Sequence, residues 1–290
     1  MTAVRGRALV FGGSGQVGQA VVARLLDAGW QLDALSREPR VPRPGLRWLA
    51  GGFEALPALA RHYDAVLSCG PLDRFADWHA TAGVVAPRVV AFGSTSLAVK
   101  RASADPGERD LAARLDASEQ ALFAVAHARR ADAIVLRPTL VYGAGRDLTL
   151  SRIAAMARRR GLFVLPRGAT GLRQPVHVDD LAATTVAAID APGAGGRGYD
   201  LPGGETLAYR EMVARVLAAL DPPARLVELP APLFAGLAGA LRASGRLQGF
   251  GRQAQARLRQ DLVFDGAPAA AALGHAPRPF RPVAAMFGTD

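Results

Sequence analysis

The sequence predicts an α/β protein: a doubly wound, mostly parallel β-sheet covered by helices on both faces, with a smaller C-terminal mixed α/β lobe. Three observations carry that expectation. Short apolar runs alternate with helix-like stretches through the first half of the 290 residues. The first run opens directly into a glycine-rich loop and an amphipathic helix. Past Gly143 the rhythm breaks, and longer helical and proline-rich stretches take over.

Taken in order, "RALVFGG" reads as a first strand, bounded by its glycines, and a helix follows from Gln16 to Ala28. "WQLDALSR" and "LRWLAG" are the second and third strands, and a helix is expected near Phe53 to Arg61. "DAVLSCG" and "RVVAFGS" supply the fourth and fifth strands, a long helix spans about Ala112 to Ala128, and "AIVLRPTLVYG" is the sixth strand. Runs this short and this apolar are what strands buried on both faces look like. Beyond them a helix from about Leu148 to Arg160 leads into "LFVLPRGATGLRQPVHVDDLAATTVAAI" and "YDLPGGETLAYREMVARVLAAL". The expected division is a nucleotide domain over 1–145 plus about 174–192. The smaller lobe takes about 146–173 and 193–290, and the ligand is expected where the two meet.

Half of the residues are hydrophobic, enough for a sizeable core, and the formal charge is +10. The charge sits in short runs, Arg129 with Arg130 and Arg158 to Arg160, that punctuate helices and read as solvated faces. No aromatic platform or nucleic-acid module accompanies them, so the balance favours an anionic small molecule over nucleic acid. One cysteine, Cys69, excludes an intramolecular disulfide, and no Cys/His grouping is spaced for a metal. A reducing cytoplasm fits this usage. The first apolar run comes too early to leave room for a cleavable signal. "PAPLFAGLAGALRASG" is too short and too interrupted to span a bilayer, so no membrane partner is expected. A homodimer is compatible with these features.

"VFGGSGQVGQAVVARLL" places Gly12, Gly15 and Gly18, with Ser14, Gln16 and Val17 between them, where the first strand gives way to a helix. Gly12 suits a tight turn, Gly15 a close backbone approach to a diphosphate, and Gly18 the packing of helix on strand. The helix start offers free N–H groups and partial positive charge to an anion.

The G-x-x-G-x-x-G spacing resembles that of the extended and atypical short-chain dehydrogenase/reductases, the superfamily of NAD(P)-dependent nucleotide-sugar epimerases and dehydratases. "LRPTLVYGAG" looks like the family's segment after the sixth strand, "QPVHVDDLA" its return to the nucleotide domain, and "YDLPGGETLAYREMV" the start of its substrate lobe. The resemblance covers nearly the whole chain and implies a Rossmann-type domain that binds a nicotinamide dinucleotide. It further implies that Cys69 and Gly70 of "LSCGP", at the end of the fourth strand, pass close to the adenosine half.

The second strand bears on the choice of cofactor. NAD-preferring relatives usually end it with an acid on the ribose hydroxyls; here it ends "ALSR", with Ser36 in that place and Arg37 beside it. A guanidinium there suits the 2′-phosphate of NADP, which is the expected cofactor, with NAD the alternative. Asp33 stands three residues too early to hold the ribose.

Hydride-transferring members of the superfamily use a Ser or Thr after the fifth strand and a Y-x-x-x-K pair on the next helix. Aligning Glu119 with the acid that often follows the pair puts Leu111 and Leu115 in the Tyr and Lys positions, and neither can move a proton. With Ser118 and Leu122 they form an apolar stripe expected in the core. "STSLAVK" matches the segment after the fifth strand and ends in Lys100, the only lysine among 35 Lys and Arg residues. Ser96, Thr95 and Lys100 are therefore the catalytic candidates. The first two would orient an oxygen, and the third would anchor an anion or donate a proton.

Arg137, Thr139, Tyr142, Arg146, Arg173 and His177 are candidates to line the substrate cleft, the arginines by clamping a diphosphate. For His177 and Asp179 the plainer expectation is a tie between lobes. The expected activity is that of an NADP-dependent oxidoreductase or epimerase acting on a nucleotide sugar or another anionic carbonyl or hydroxyl compound. The alternative is a non-catalytic NAD(P)H-binding sensor or accessory subunit.

Overall fold

The computed structural model describes residues 4–243 and 257–288. The chain divides into two compact units, the first made of Met1–Thr139, Val178–Leu201 and Asp265–Pro277. Its sheet is built from β1 (Gly6–Phe11), β2 (Trp30–Ser36), β3 (Leu46–Ala50), β4 (Ala65–Ser68), β5 (Arg88–Phe92), β6 (Asp132–Pro138) and β11 (Arg197–Leu201). All seven pair in parallel, in the order β11-β6-β5-β4-β1-β2-β3. The chain grows outward from β1 to β3 and then returns to the other side of β1 as β4. The order thus reverses between β1 and β4, the place where doubly wound sheets leave a crevice at their carboxyl ends.

Helices cover both faces. α1 (Gln16–Asp27) packs with α6 (Val178–Asp190) against β1, β5 and β6, and α2 (Leu72–Thr81) packs with α4 (Pro106–Ala128). Strand alternation sends Leu9 and Phe11 of β1 to the α2/α4 side, where Phe75 and Leu122 are fully buried. Each such side chain contributes roughly 2 kcal/mol by leaving water.

Three expectations are corrected here. Residues 53–61 form no helix: Gly51, at φ +145°, begins a tight turn closed between Gly52 and Ala55, and Pro57 would interrupt a helix in any case. The helix of this region is α2 instead, with Leu72, Phe75, Ala76 and His79 on its buried face. The long helix starts at Pro106, earlier than Ala112, because the Asp105 carboxylate accepts from the Gly107 N–H and Pro106 needs no donor at the first position. Finally, 197–201 and 265–277 belong with the first unit: β11 is the sheet's edge strand, paired with β6 from Ile134 to Pro138. α9 (Ala267–Leu273) packs against β11.

The second unit comprises Leu140–His177, Pro202–Phe264 and Arg278–Asp290. It holds three two-stranded sheets. These are β7 (Val141–Tyr142) with β10 (Val176–His177), β9 (Leu172–Arg173) with β12 (Leu207–Ala208), and β8 (Leu162–Pro166) with β13 (Arg225–Leu229). Helices α5 (Leu150–Arg160) and α7 (Tyr209–Ala218) pack over them around Leu150, Ile153, Met212, Val213, Phe280 and Phe287. α8 (Ala231–Ala243) follows β13. Arg158 to Arg160 occupy the last turn of α5, where cations offset the helix dipole. No described helix is long and apolar enough to cross a membrane.

Candidate active site

The glycine loop leaves β1 at Phe11 and lies over the β1/β4 reversal. Gly12 takes φ +68°, and a Cβ there would come within 3.0 Å of the Cys69 and Gly70 backbone. The Gly15 N–H donates to the Gly12 carbonyl at 2.9 Å, which closes the turn. A Cβ at Gly18 would overlap that same carbonyl oxygen, so only glycine lets α1 lie against the loop. α1 begins with no side-chain cap at Gly15 and no acid in its first turn, where Gln16, Val17 and Gly18 sit. Gln16 Nε2 is buried without a hydrogen-bond partner among the described residues. Gln19 Nε2 holds the loop by donating to the Ser14 carbonyl at 3.0 Å.

Beside the loop, a cleft of about 580 Å³ runs along the carboxyl ends of β1 to β4. Its walls are Gly12, Ser14 and Gly15, then Leu35, Ser36 and Arg37, then Gly51 to Ala55, then Cys69, Gly70, Pro71 and Arg74. Phe53 stacks on Phe11, centroids 4.9 Å apart and planes within 3°, and fixes the loop after β3 against the core. Ser36 lines the cleft, but its hydroxyl is taken up by the strand end: it donates to the Glu38 carbonyl at 2.8 Å and accepts the Glu38 N–H at 3.2 Å. Arg37 is exposed, its stem over Gly52, and it has no ion-pair partner among the described residues.

Asp33 lies away from this cleft. Its buried carboxylate accepts from Arg47 Nε at 2.8 Å, Arg47 Nη2 at 2.9 Å, Arg7 Nη2 at 2.6 Å and the Tyr63 hydroxyl at 2.8 Å. Burial alone would raise its pKa, but the Arg47 and Tyr63 hydrogen bonds and the two cations outweigh it and hold the carboxyl low. Burial pushes the Cys69 thiol up to about 12, so it carries no thiolate at neutral pH and is a wall rather than a nucleophile.

The segment after β5 places Thr95 and Ser96 at the start of the short helix α3 (Ser96–Lys100), which Lys100 ends. Thr95 is buried, and its hydroxyl donates to the Pro138 carbonyl at 3.1 Å, tying the end of β5 to the end of β6. That hydroxyl keeps its acceptor lone pairs but has spent its proton. Ser96 and Lys100 are half-buried.

Arg137 requires a correction. Its Nε donates to Glu119 at 2.9 Å and its Nη2 also meets that carboxylate, which is fully buried on α4; Nη1 lies 3.9 Å from Asp200 of β11. The fork expected to clamp a diphosphate is occupied by Glu119. Burial raises the Asp200 pKa, with Arg137 acting against it. The stripe expected in the core is only partly there. Leu122 is fully buried, whereas Leu111, Leu115 and Ser118 are half-buried, and Ser118 returns its hydroxyl to the Arg114 carbonyl. The Thr139 N–H and hydroxyl both point at the Leu201 carbonyl, at 3.3 and 3.5 Å.

In the second unit, Arg173 is likewise not a clamp. It is buried, its guanidinium donates to the carbonyls of Leu172, Gln260 and Arg257, and it sits 5.4 Å over the Tyr209 ring. Tyr142 and His177 are buried in edge-to-face contact at 5.0 Å, with Phe280 on the other side of Tyr142. Arg146 is exposed.

The structure thus brings the glycine loop, Ser36, Arg37, Cys69 and Gly70 around one cleft. Sequence reasoning missed Phe53, Glu54 and Arg74 on its walls. Placing 53–61 in a helix removed Phe53 and Glu54 from view, although residues that directly follow a parallel strand, such as "GGFE" after "LRWLA", are where this architecture puts its ligand contacts.

Residues 76–201 match the model of the NAD dependent epimerase/dehydratase family. A 2-alkyl-3-oxoalkanoate reductase of Stenotrophomonas maltophilia (strain K279a) is 27% identical over 253 residues, 74% of this chain and 76% of the relative. Subunit 9 of the NADH dehydrogenase [ubiquinone] 1 alpha subcomplex of Arabidopsis thaliana mitochondria is 30% identical over 138 residues, covering 47% of this chain and 33% of that protein. Among solved structures, MoeE5 in complex with UDP-glucuronic acid and NAD superposes with a TM-score of 0.70 at 20% identity, covering 97% of each chain.

Proposed function

We propose that this chain, whose residues 76–201 match the NAD dependent epimerase/dehydratase family, is a member of that family and an NADP-dependent oxidoreductase acting on an anionic carbonyl or hydroxyl compound. The residues at the β1/β4 reversal fit a dinucleotide. The glycine loop has no room for side chains at Gly12 and Gly18, α1 starts without a side-chain cap, and the Gln16 amide nitrogen is buried without a partner among the described residues. The observation that carries the choice of NADP is Arg37, an exposed guanidinium just past β2 with its stem over a glycine and no ion-pair partner among the described residues.

The bound cofactor supplies or accepts a hydride. This chain's part is to hold the reacting oxygen and its proton. Ser96 can donate to a substrate oxygen and Thr95 can accept a hydrogen bond from a substrate hydroxyl. Lys100 stands for the absent Tyr-x-x-x-Lys pair as anion anchor or proton donor. The reductase from Stenotrophomonas is named for a 3-oxo acid, which supports an anionic carbonyl substrate. MoeE5 binds a UDP-sugar acid, which keeps a nucleotide sugar in view.

Calorimetric titration with NADPH and with NADH tests the reading. NADPH should bind more tightly, and Arg37→Ala should remove most of that preference; equal binding of both nucleotides would overturn it. A second reading, an NAD(P)H-holding accessory or sensor subunit, is favoured by Leu111 and Leu115 and by the likeness to a subunit of the NADH dehydrogenase 1 alpha subcomplex. Consumption of bound NADPH with a panel of 3-oxo acids and nucleotide sugars, dependent on Lys100, decides against it.

A further inference from the structure

We infer that Arg74 is a second specificity-determining cation of the cofactor cleft, held by Glu54 and released to a 2′-phosphate when one binds; the inference rests on the NADP reading above. Arg37, Glu54 and Arg74 line the same cleft but come from three places: the end of β2, the loop after β3 and the first turn of α2. Arg74 Nη1 meets Glu54 Oε1 at 2.7 Å, the one hydrogen bond of that guanidinium among the described residues, while its backbone N–H is held by Asp73 at 2.9 Å. The main chain is therefore fixed and the guanidinium keeps most of its N–H groups for another acceptor.

The charges explain why such a second cation is needed. A phosphate monoester carries about −1.5 to −2 at neutral pH, and Arg37 supplies a single positive charge. Arg74 supplies the other. The pair that holds Arg74 is a weak competitor, because the two side chains are 54% and 83% exposed and Glu54 returns to water when it lets go. A doubly charged phosphate gripped by a fork is the stronger partner. Neither Gly51 nor Gly52, which lie between Arg37 and Glu54 in the wall, carries a side chain that could intrude. Glu54 holds the Arg74 guanidinium at the cleft wall until the ligand arrives. It also opposes 2′-phosphate binding by its own charge.

The test is calorimetry of the whole chain with 2′,5′-ADP and with 5′-ADP. Arg74→Ala should weaken 2′,5′-ADP about tenfold and leave 5′-ADP within about twofold. Glu54→Gln should do the opposite, tightening 2′,5′-ADP several-fold, and most of that gain should vanish once Arg74 is alanine. Both side chains are exposed, and unchanged melting curves check that the variants fold. An equal loss for both nucleotides in Arg74→Ala, or no gain in Glu54→Gln, overturns the role of Arg74. If the Arg37-dependent preference for 2′,5′-ADP survives Arg74→Ala undiminished, the NADP reading stands and this inference alone falls. If the native protein does not distinguish the two nucleotides, both fall.

Discussion

Glu119 and Arg137 meet carboxylate to fork beside the end of β6, the carboxylate only 1% exposed and the guanidinium raised in pKa by its hydrogen bond to Glu119. Gly93, just past β5, and Gly198 of β11 leave the room: a Cβ at Gly198 would lie 2.6 Å from the guanidinium. Breaking a buried pair from one side strands the other charge. Glu119→Gln should therefore cost about 3 kcal/mol in urea unfolding, and Glu119→Leu with Arg137→Met together should cost less than the single change.

His79 predicts acid sensitivity. Burial, then the Arg129 charge, push its pKa down to about 4, and its Nδ1 is buried without a partner among the described residues. Between about pH 6.5 and 4 the unfolded chain binds a proton here that the folded chain does not, so stability falls as pH falls through that window. The contribution is of order 3 kcal/mol at most. His79→Phe should flatten the urea midpoint across this range, and an unchanged slope would rule His79 out as its source.

At the glycine loop, Gly18→Ala should lower both stability and nicotinamide nucleotide affinity, the latter more than about tenfold, because its Cβ overlaps the Gly12 carbonyl and α1 must move. Gly83→Ala has open space around its Cβ and serves as the control; it should leave nucleotide binding unchanged.

Lys100→Met should abolish substrate turnover while NADPH affinity, read by calorimetry, stays within about twofold, and Lys100→Arg should not restore the rate. Turnover that survives Lys100→Met removes this residue from the reaction.

Much of the fold was legible because strands buried on both faces read as apolar runs, and β1 and β4 to β6 are largely of that kind. "FEALPALAR" misled because its alanines and leucines have helical spacing, while the tight turn at Gly51 and the stacking of Phe53 on Phe11, which decide its course, are tertiary facts. The glycine loop was legible since each glycine answers to a local need. Arg137 and Arg173 were not: charge makes an arginine look like a ligand contact, and only the fold reveals Glu119, on a different element, or the three carbonyls that take up Arg173. Arg37 stands at a strand end, and it has no ion-pair partner among the described residues.

The edge strand β11 has a consequence for how the protein is made. Until Arg197 to Leu201 emerge from the ribosome, β6 is the outermost strand of the sheet, and one whole side of it offers unpaired N–H and carbonyl groups from Ile134 to Pro138. An incomplete chain ending before Arg197 thus presents an apolar "IVLRP" ladder ready to pair with a neighbour's. Stalled or truncated products should be the aggregating species during synthesis, and chaperones that bind extended apolar segments should find β6 first.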